Sequence, residues 1–253
     1  MGAGALLGSG AFASPVRSLV GAHGIGMVES EGSVIPSASN YIQDGLVAMW
    51  DGVENAGLGE HNSRLNTWVD LTGNHEVTTT GTPTWTKNAL RLKSSNYFSF
   101  QNTDIRNAIL AHTITVEMVY SDLVYSGYQP ALIGLYEHGV IYFYYNQNGS
   151  FCHQFNWAGS AFHNIKTCTD TIVYTTSSHC GNFINGEKIS SWQAPQKNAG
   201  SNTSLCYINK SILGNSFNSG NLHCVRIYTR NLSDLEIAYN YDLDVMRFGL
   251  PKA

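Results

Sequence analysis

The run Leu222-His223-Cys224-Val225-Arg226-Ile227-Tyr228-Thr229-Arg230-Asn231-Leu232-Ser233-Asp234-Leu235-Glu236-Ile237 restricts this chain more than any other stretch. Val225, Ile227 and Thr229 alternate with Arg226, Tyr228 and Arg230, the period of two of a half-buried strand. Ser233 followed three residues later by Glu236 is a capping box, so the strand must give way abruptly to a helix. Ile237, Tyr241, Val245 and Phe248 recur at helical spacing, and Gly249 and Pro251 stop the helix. On this pattern Val225 and Ile227 face a core, while Arg226 and Arg230 face solvent or a partner. A strand that ends in a helix needs other strands to pair with, and the sequence upstream supplies them.

Gly45 to Trp50, Trp68 to Leu71, Ala89 to Leu92 and Tyr97 to Phe100 read as short strands, with one or two helical turns between Asp104 and Leu110. Thr113 to Tyr120 alternates clearly, and further strands are predicted between Ala131 and Phe155 and between Thr171 and Ile184. Asn185-Gly186 between apolar runs is a strong hairpin signal, since both residues accept positive φ. Leu205 to Ile208 precedes the closing strand. Many short strands with one terminal helix predict an all-β, antiparallel two-sheet jelly-roll sandwich over residues 41–253. Residues 1–40 stand apart: Gly- and Ala-rich with neither period sustained, they read as an extended N-terminal arm that needs partner chains to order it.

Composition narrows the function classes. Charged residues are 13% and the formal net charge is −4, with no Lys/Arg cluster along the sequence, so no nucleic-acid partner is expected. No apolar run approaches the roughly 18–20 residues of a membrane span. Ala11-Phe12-Ala13 has the small residues of a cleavage site, but no Lys or Arg precedes it, so a signal peptide is not expected. Cys152, Cys168, Cys180, Cys206 and Cys224 are odd in number and scattered, which predicts buried free thiols rather than a disulfide framework.

Several of these runs resemble a known family. Gly45-Leu46-Val47-Ala48-Met49-Trp50 with Asp70-Leu71-Thr72-Gly73-Asn74 is similar to the opening of laminin-G-like, concanavalin-A-like jelly rolls. Thr113 to Glu117 resembles their central strand, Phe183 to Lys188 their hairpin, and Val225 to Ile237 their closing strand and helix start. The resemblance covers residues 44–249 and implies a glycan-binding or adhesion module of the kind found on bacterial surfaces and phage particles. The arm has no counterpart in the pattern.

Catalytic readings are weak. A glycoside hydrolase needs two carboxylates about 5–5.5 Å apart for retention or about 6.5–9.5 Å for inversion. No strand carries acids at i and i+2; Glu117 stands alone, and Asp242 and Asp244 on the terminal helix read as solvated. The adjacent pairs Cys152-His153, His179-Cys180 and His223-Cys224 point to opposite strand faces, so neither a Cys–His dyad nor shared zinc ligation follows from them. Asp51, Glu54, Asn55 and Asp70 offer oxygen ligands suited to Ca²⁺. Trp157 and Asn156, in a loop-like run, and Tyr128 near a turn are the expected glycan contacts, while Trp50 and Trp68 read as core.

The sequence thus predicts a non-catalytic module that binds a glycan or cell-surface polysaccharide, displayed on an extracellular surface or virion through residues 1–40 and assembled from cytoplasmic subunits. The second reading is a structural virion or appendage subunit, of decoration, tail or fibre type, with no glycan site. A glycoside hydrolase ranks third.

Overall fold

The structure, a computed structural model, describes residues 27–30, 33–124, 130–135, 141–145, 151–155, 158–163, 165, 167–174, 179–193, 205–210 and 214–252. In chain order its strands begin with the hairpin β1 (Met27–Ser30) and β2 (Ser33–Pro36). They continue as β3 (Leu46–Asp51), β4 (Thr78–Thr80), β5 (Leu90–Arg91) and β6 (Tyr97–Gln101). After helix α1 (Thr103–Ala111) come β7 (Ile114–Val124), β8 (Ala131–Leu135), β9 (Ile141–Tyr145), β10 (Phe151–Phe155) and β11 (Ala158–His163). β12 (Cys168–Tyr174), β13 (His179–Ile184), β14 (Glu187–Gln193), β15 (Leu205–Ile208) and β16 (Ser219–Tyr228) lead into helix α2 (Asp234–Phe248).

The chain is an antiparallel two-sheet sandwich, as the alternation predicts. One sheet has the order β14-β13-β12-β7-β16-β3, with β5 also paired to β16; the other runs β11-β10-β9-β8-β15-β6-β4. β7 and β16 lie side by side in the middle of the first sheet, with Arg226 opposite Glu117 and Ile227 opposite Val116. Their inward residues Val116, Met118, Val225 and Ile227 meet Phe98, Phe100, Ile133 and Leu135 of the second sheet in the main core. Burying each such side chain contributes about 1.5–3 kcal/mol. Trp50 and Trp68 are both core, as expected, and Trp50 meets Phe100 in a tilted contact with ring centroids 4.6 Å apart.

The outer face of the first sheet is covered by α2 and residues 37–41. Ala38, Tyr41, Tyr241 and Phe248 close over Met49, Val119 and Cys224 in a second core. Thus Ala38, within the stretch read as an arm, packs against the sandwich. The Ser233–Glu236 capping box is formed in both directions, and Gly249 ends α2 with φ 69°. Asn185 and Gly186 have φ 52° and 77°, which gives the tight hairpin between β13 and β14.

Trp68 to Leu71 is not a strand. There the Asp70 side chain takes the place of a ladder, accepting from the Met49 amide at 2.8 Å while the Leu71 amide donates to Met49 O at 2.8 Å. Cys168, Cys206 and Cys224 are free and buried, in accord with packed thiols.

Candidate functional site

Alternation puts Glu117 on β7, Arg226 on β16 and Asp51 on β3 on the outer face of the first sheet, where a solvated layer would be expected. The apolar stripe of α2 closes over that face, so the charges are sealed in and must pair with one another. Arg226 is wholly buried. Its Nε donates to Glu117 Oε2 at 2.7 Å, and Nη1 and Nη2 donate to Asp244 Oδ1 and Oδ2, each at 2.7 Å. This corrects three expectations: Arg226 does not face solvent, Glu117 is not alone, and Asp244 is not solvated. Arg230 is half-buried and pairs with Glu236 and Asp44 at the helix start.

Burial pushes the Glu117 carboxyl above the usual carboxylate range, although Arg226 opposes it. Burial would lower the Arg226 guanidinium, but Asp244 and Glu117 outweigh it and hold the group well above its ordinary value. Tyr41 completes the cluster, its hydroxyl donating to Asp244 Oδ1 at 2.6 Å and its ring lying 4.1 Å from the Arg226 guanidinium carbon.

The four residues expected to hold Ca²⁺ are already committed elsewhere. Asp51 Oδ1 accepts from the Val53 and Glu54 amides and from Arg247 Nη2 at 2.7 Å. Glu54 Oε1 accepts from the Ala38 amide and from Arg247, and Oε2 from the Gly59 amide. Asn55 exchanges two hydrogen bonds with Asn62. Asp70 accepts from Met49, Thr72, Asn74 and His75. Burial pushes its carboxyl up, but the bonds from His75, Met49 and Thr72 outweigh it and hold it below the usual range. Only Asp51 Oδ2 lacks a hydrogen-bond partner in this set. One oxygen beside a buried guanidinium does not fit an ion that takes about 6–8 oxygen ligands. Asp51 and Glu54 instead fasten Arg247 of α2, whose guanidinium also donates to Pro36 O.

The second sheet supplies the exposed chemistry. On β6, Phe98 and Phe100 are buried, and Tyr97, Ser99 and Gln101 alternate to the outer face. On β15, Cys206 and Ile208 are buried, and Leu205 and Tyr207 alternate outward. Tyr207 is opposite Ser99, which makes Tyr97 its diagonal neighbour; the two rings meet edge to face with centroids 6.2 Å apart. Lys210 Nζ lies 3.9 Å from the Tyr97 ring centroid and 5.1 Å from that of Tyr207. Hydrogen bonds from Thr80 and then Lys210 hold the Tyr97 phenol below its ordinary value.

Asn209 and Gly134 put Lys210 there. Asn209 adopts φ 59°, which turns the chain at the end of β15, and its buried amide donates to Lys93 O and Asn96 O while Oδ1 accepts from the Phe217 amide. Gly134 on β8 is opposite Tyr207, and a Cβ there would come within 3.1 Å of Lys210 O. This face therefore offers two phenols, an ammonium and neighbouring hydroxyls, a set that can grip a polar ligand through ring faces and hydrogen bonds. A half-open cleft of about 320 Å³ lies elsewhere, lined by residues that include Gln43, Leu46, Met49, Leu58 and Asn74; no lining residue is ionisable.

Trp157, Asn156 and Tyr128 lie outside the described residues. Tyr97, Tyr207 and Lys210 were missed by sequence reasoning, which followed loops. The usable signal was the alternation of Tyr97 with Phe98 and of Tyr207 with Ile208, which sets each tyrosine on the face away from the core.

No family model matches the chain, and no curated protein sequence matches it. Solved structures do resemble it. The sialidase of Trypanosoma rangeli aligns with TM-score 0.59 and 12% identity over 79% of this chain and 33% of that one. The binding domain of botulinum neurotoxin serotype D aligns with TM-score 0.61 and 19% identity over 81% of this chain and 53% of that one. The receptor-binding domain of the C/D mosaic neurotoxin gives TM-score 0.61 and 17% identity with 81% and 53% coverage. The chain thus spans between a third and about half of these proteins. At such identities the likeness shows the fold alone, a two-sheet β-sandwich.

Proposed function

We propose that this chain is a non-catalytic binding module of the laminin-G-like, concanavalin-A-like kind, and that it takes a glycan on the outer face of the β8-β15-β6-β4 sheet. The observation that carries the reading is the Tyr97–Tyr207 pair with Lys210 above it, on a sheet face that no helix among the described residues covers. Ring faces suit the C–H surface of a sugar, and the phenols, ammonium and hydroxyls suit its oxygens. The neurotoxin neighbours include a receptor-binding domain and a binding domain solved with rat synaptotagmin II, which accords with a binding role. A non-catalytic role accords with the fate of the buried acids: Glu117, Asp244, Asp51 and Glu54 are held by arginines beneath α2, away from any sugar. Display on a cell surface or particle through residues 1–40 completes the reading.

A glycan array probed with the full chain tests it, alongside the Tyr207→Ala and Trp157→Ala variants. Binding that Tyr207→Ala weakens supports the face named here. Binding lost only in Trp157→Ala moves the site to that loop. No binding to any glycan leaves the structural virion or appendage subunit, and hydrolysis of a polysaccharide panel overturns the non-catalytic assignment.

A further inference from the structure

The net charge of −4 hides an uneven distribution. Residues 77–103 contain Lys87, Arg91 and Lys93 and no Asp or Glu. Residues 188–233 contain Lys188, Lys197, Lys210, Arg226 and Arg230, again with no acid. β4 and β6 come from the first of these segments and β15 with Lys210 from the second. β8 comes from a third acid-free run, residues 123–136. The fold therefore assembles the face around Tyr97 and Tyr207 from strands that carry no negative charge. Asn209 joins the two cationic segments: its side chain donates to Lys93 O at 3.0 Å, next to Lys210 in sequence. Among the described residues Lys210 has no ion pair; its ammonium rests on the tyrosine rings.

From this we infer that the saccharide accepted here is acidic, with its carboxylate or sulfate against the Lys210 ammonium and its ring against Tyr97 and Tyr207. The inference rests on the binding-module reading above and narrows its ligand class. An ammonium without a carboxylate partner among the described residues, on strands that carry no acid, attracts an anion. The lowered Tyr97 phenol reports the same hydrogen bonding from Thr80 and Lys210. A saccharide fits better than a nucleic acid, because among the described side chains the aromatic platform is a single diagonal pair. Single-stranded nucleic acid is tracked by successive stacking residues along a basic groove.

The test measures binding of the full chain to polygalacturonate, dextran sulfate and neutral dextran, with a single-stranded oligonucleotide as the competing polyanion. Expected are binding to at least one acidic polymer, weakening with added salt, and none to dextran. Lys210→Gln weakens that binding by about ten-fold or more, and Lys210→Arg retains it. Lys210 is partly exposed, so an unchanged melting temperature in both variants shows that folding is not at issue. Which acidic polymer binds identifies carboxylate or sulfate as the anion. Equal binding to dextran, full binding by Lys210→Gln, or tighter binding to the oligonucleotide overturns the inference. Neutral glycans bound on the array, with neither acidic polymer bound, overturn it while the binding module stands. Silence on the array and with every polymer removes both.

Discussion

Replacing Arg226 by Met removes the cation that holds β7, β16 and α2 together, and its cost can be worked from the contacts. The guanidinium makes three charge-assisted hydrogen bonds of 2.7 Å, one to Glu117 and two to Asp244, all fully buried. Removing one partner of a buried pair typically costs about 3–5 kcal/mol, because the remaining charge stays desolvated and unpaired. Here two carboxylates are left facing each other, so the upper part of that range applies. With a urea slope of roughly 2 kcal/mol/M, a loss of about 4 kcal/mol lowers the unfolding midpoint by about 2 M. Far-UV circular dichroism through a urea titration measures it, at neutral pH and with the slope compared to the parent. Replacing all three groups, as Glu117→Leu, Arg226→Met and Asp244→Leu, should recover only part of the loss. Tyr41 Oη and Thr169 Oγ1 would lose the Asp244 acceptor, at about 1–3 kcal/mol apiece, and Asn240 Nδ2 would keep only Tyr228 Oη of its two acceptors. A loss under about 1 kcal/mol for Arg226→Met, the range of an exposed pair, would refute the reasoning.

Four further outcomes are expected. Asp70→Ala leaves the Met49 and Thr72 amides without their acceptor and should cost at least about 3 kcal/mol, read in the same titration. Gly186→Ala should destabilise by more than about 1 kcal/mol: φ is 77° there, and the new Cβ would stand 3.1 Å from Tyr241, so the thermal midpoint falls. Glu236 is held at about 2 from an ordinary 4.5 by Arg230 and by Ser233. The stability this carboxylate contributes is therefore present above pH 4.5 and lost as pH falls toward 2, and Glu236→Gln should lack that part of the acid limb in stability measured against pH. Asn209→Ala should both lower stability and weaken ligand binding at Lys210, whereas loss of stability with unchanged affinity would separate the turn from the site.

What the sequence made legible follows from which interactions are local. The capping box at Ser233 and Glu236, the Asn185-Gly186 turn and the alternation along β7 and β16 are each set by residues within a few positions, and each forms. The Asp70 turn was recognised by its pattern, but its role as a five-donor knot depends on Met49, 21 residues away. Period two also placed Arg226 on the correct face. It could not show that α2 returns over that face, because the helix stripe of Ile237, Tyr241 and Phe248 does not say which sheet it meets. The same blindness made Asp51, Glu54 and Asn55 look like free ligands. The partner of Asp51 and Glu54 is Arg247, nearly 200 positions downstream, whereas that of Asn55 is Asn62.

Where the acids went explains where a ligand can go. Among the described residues, Asp51, Glu54, Asp70, Glu117, Asp170 and Asp244 are buried, against only Arg226 and Arg247 of the cations. That buried set carries a formal excess of four negative charges, the same as the net charge of the whole chain. The net −4 therefore says nothing about repulsion at the surface: it belongs mainly to groups beneath α2 and around the Asp70 turn, screened by their own partners. Among the described residues, what faces water is close to neutral on average and uneven in detail, with acid-free strands gathered at Tyr97, Tyr207 and Lys210. One sheet uses its charges to hold the helix, and the other leaves a cation without an acid partner among the described residues. On the reading proposed above, an anion would meet the Lys210 ammonium on the second sheet, the side opposite the face that the terminal helix covers.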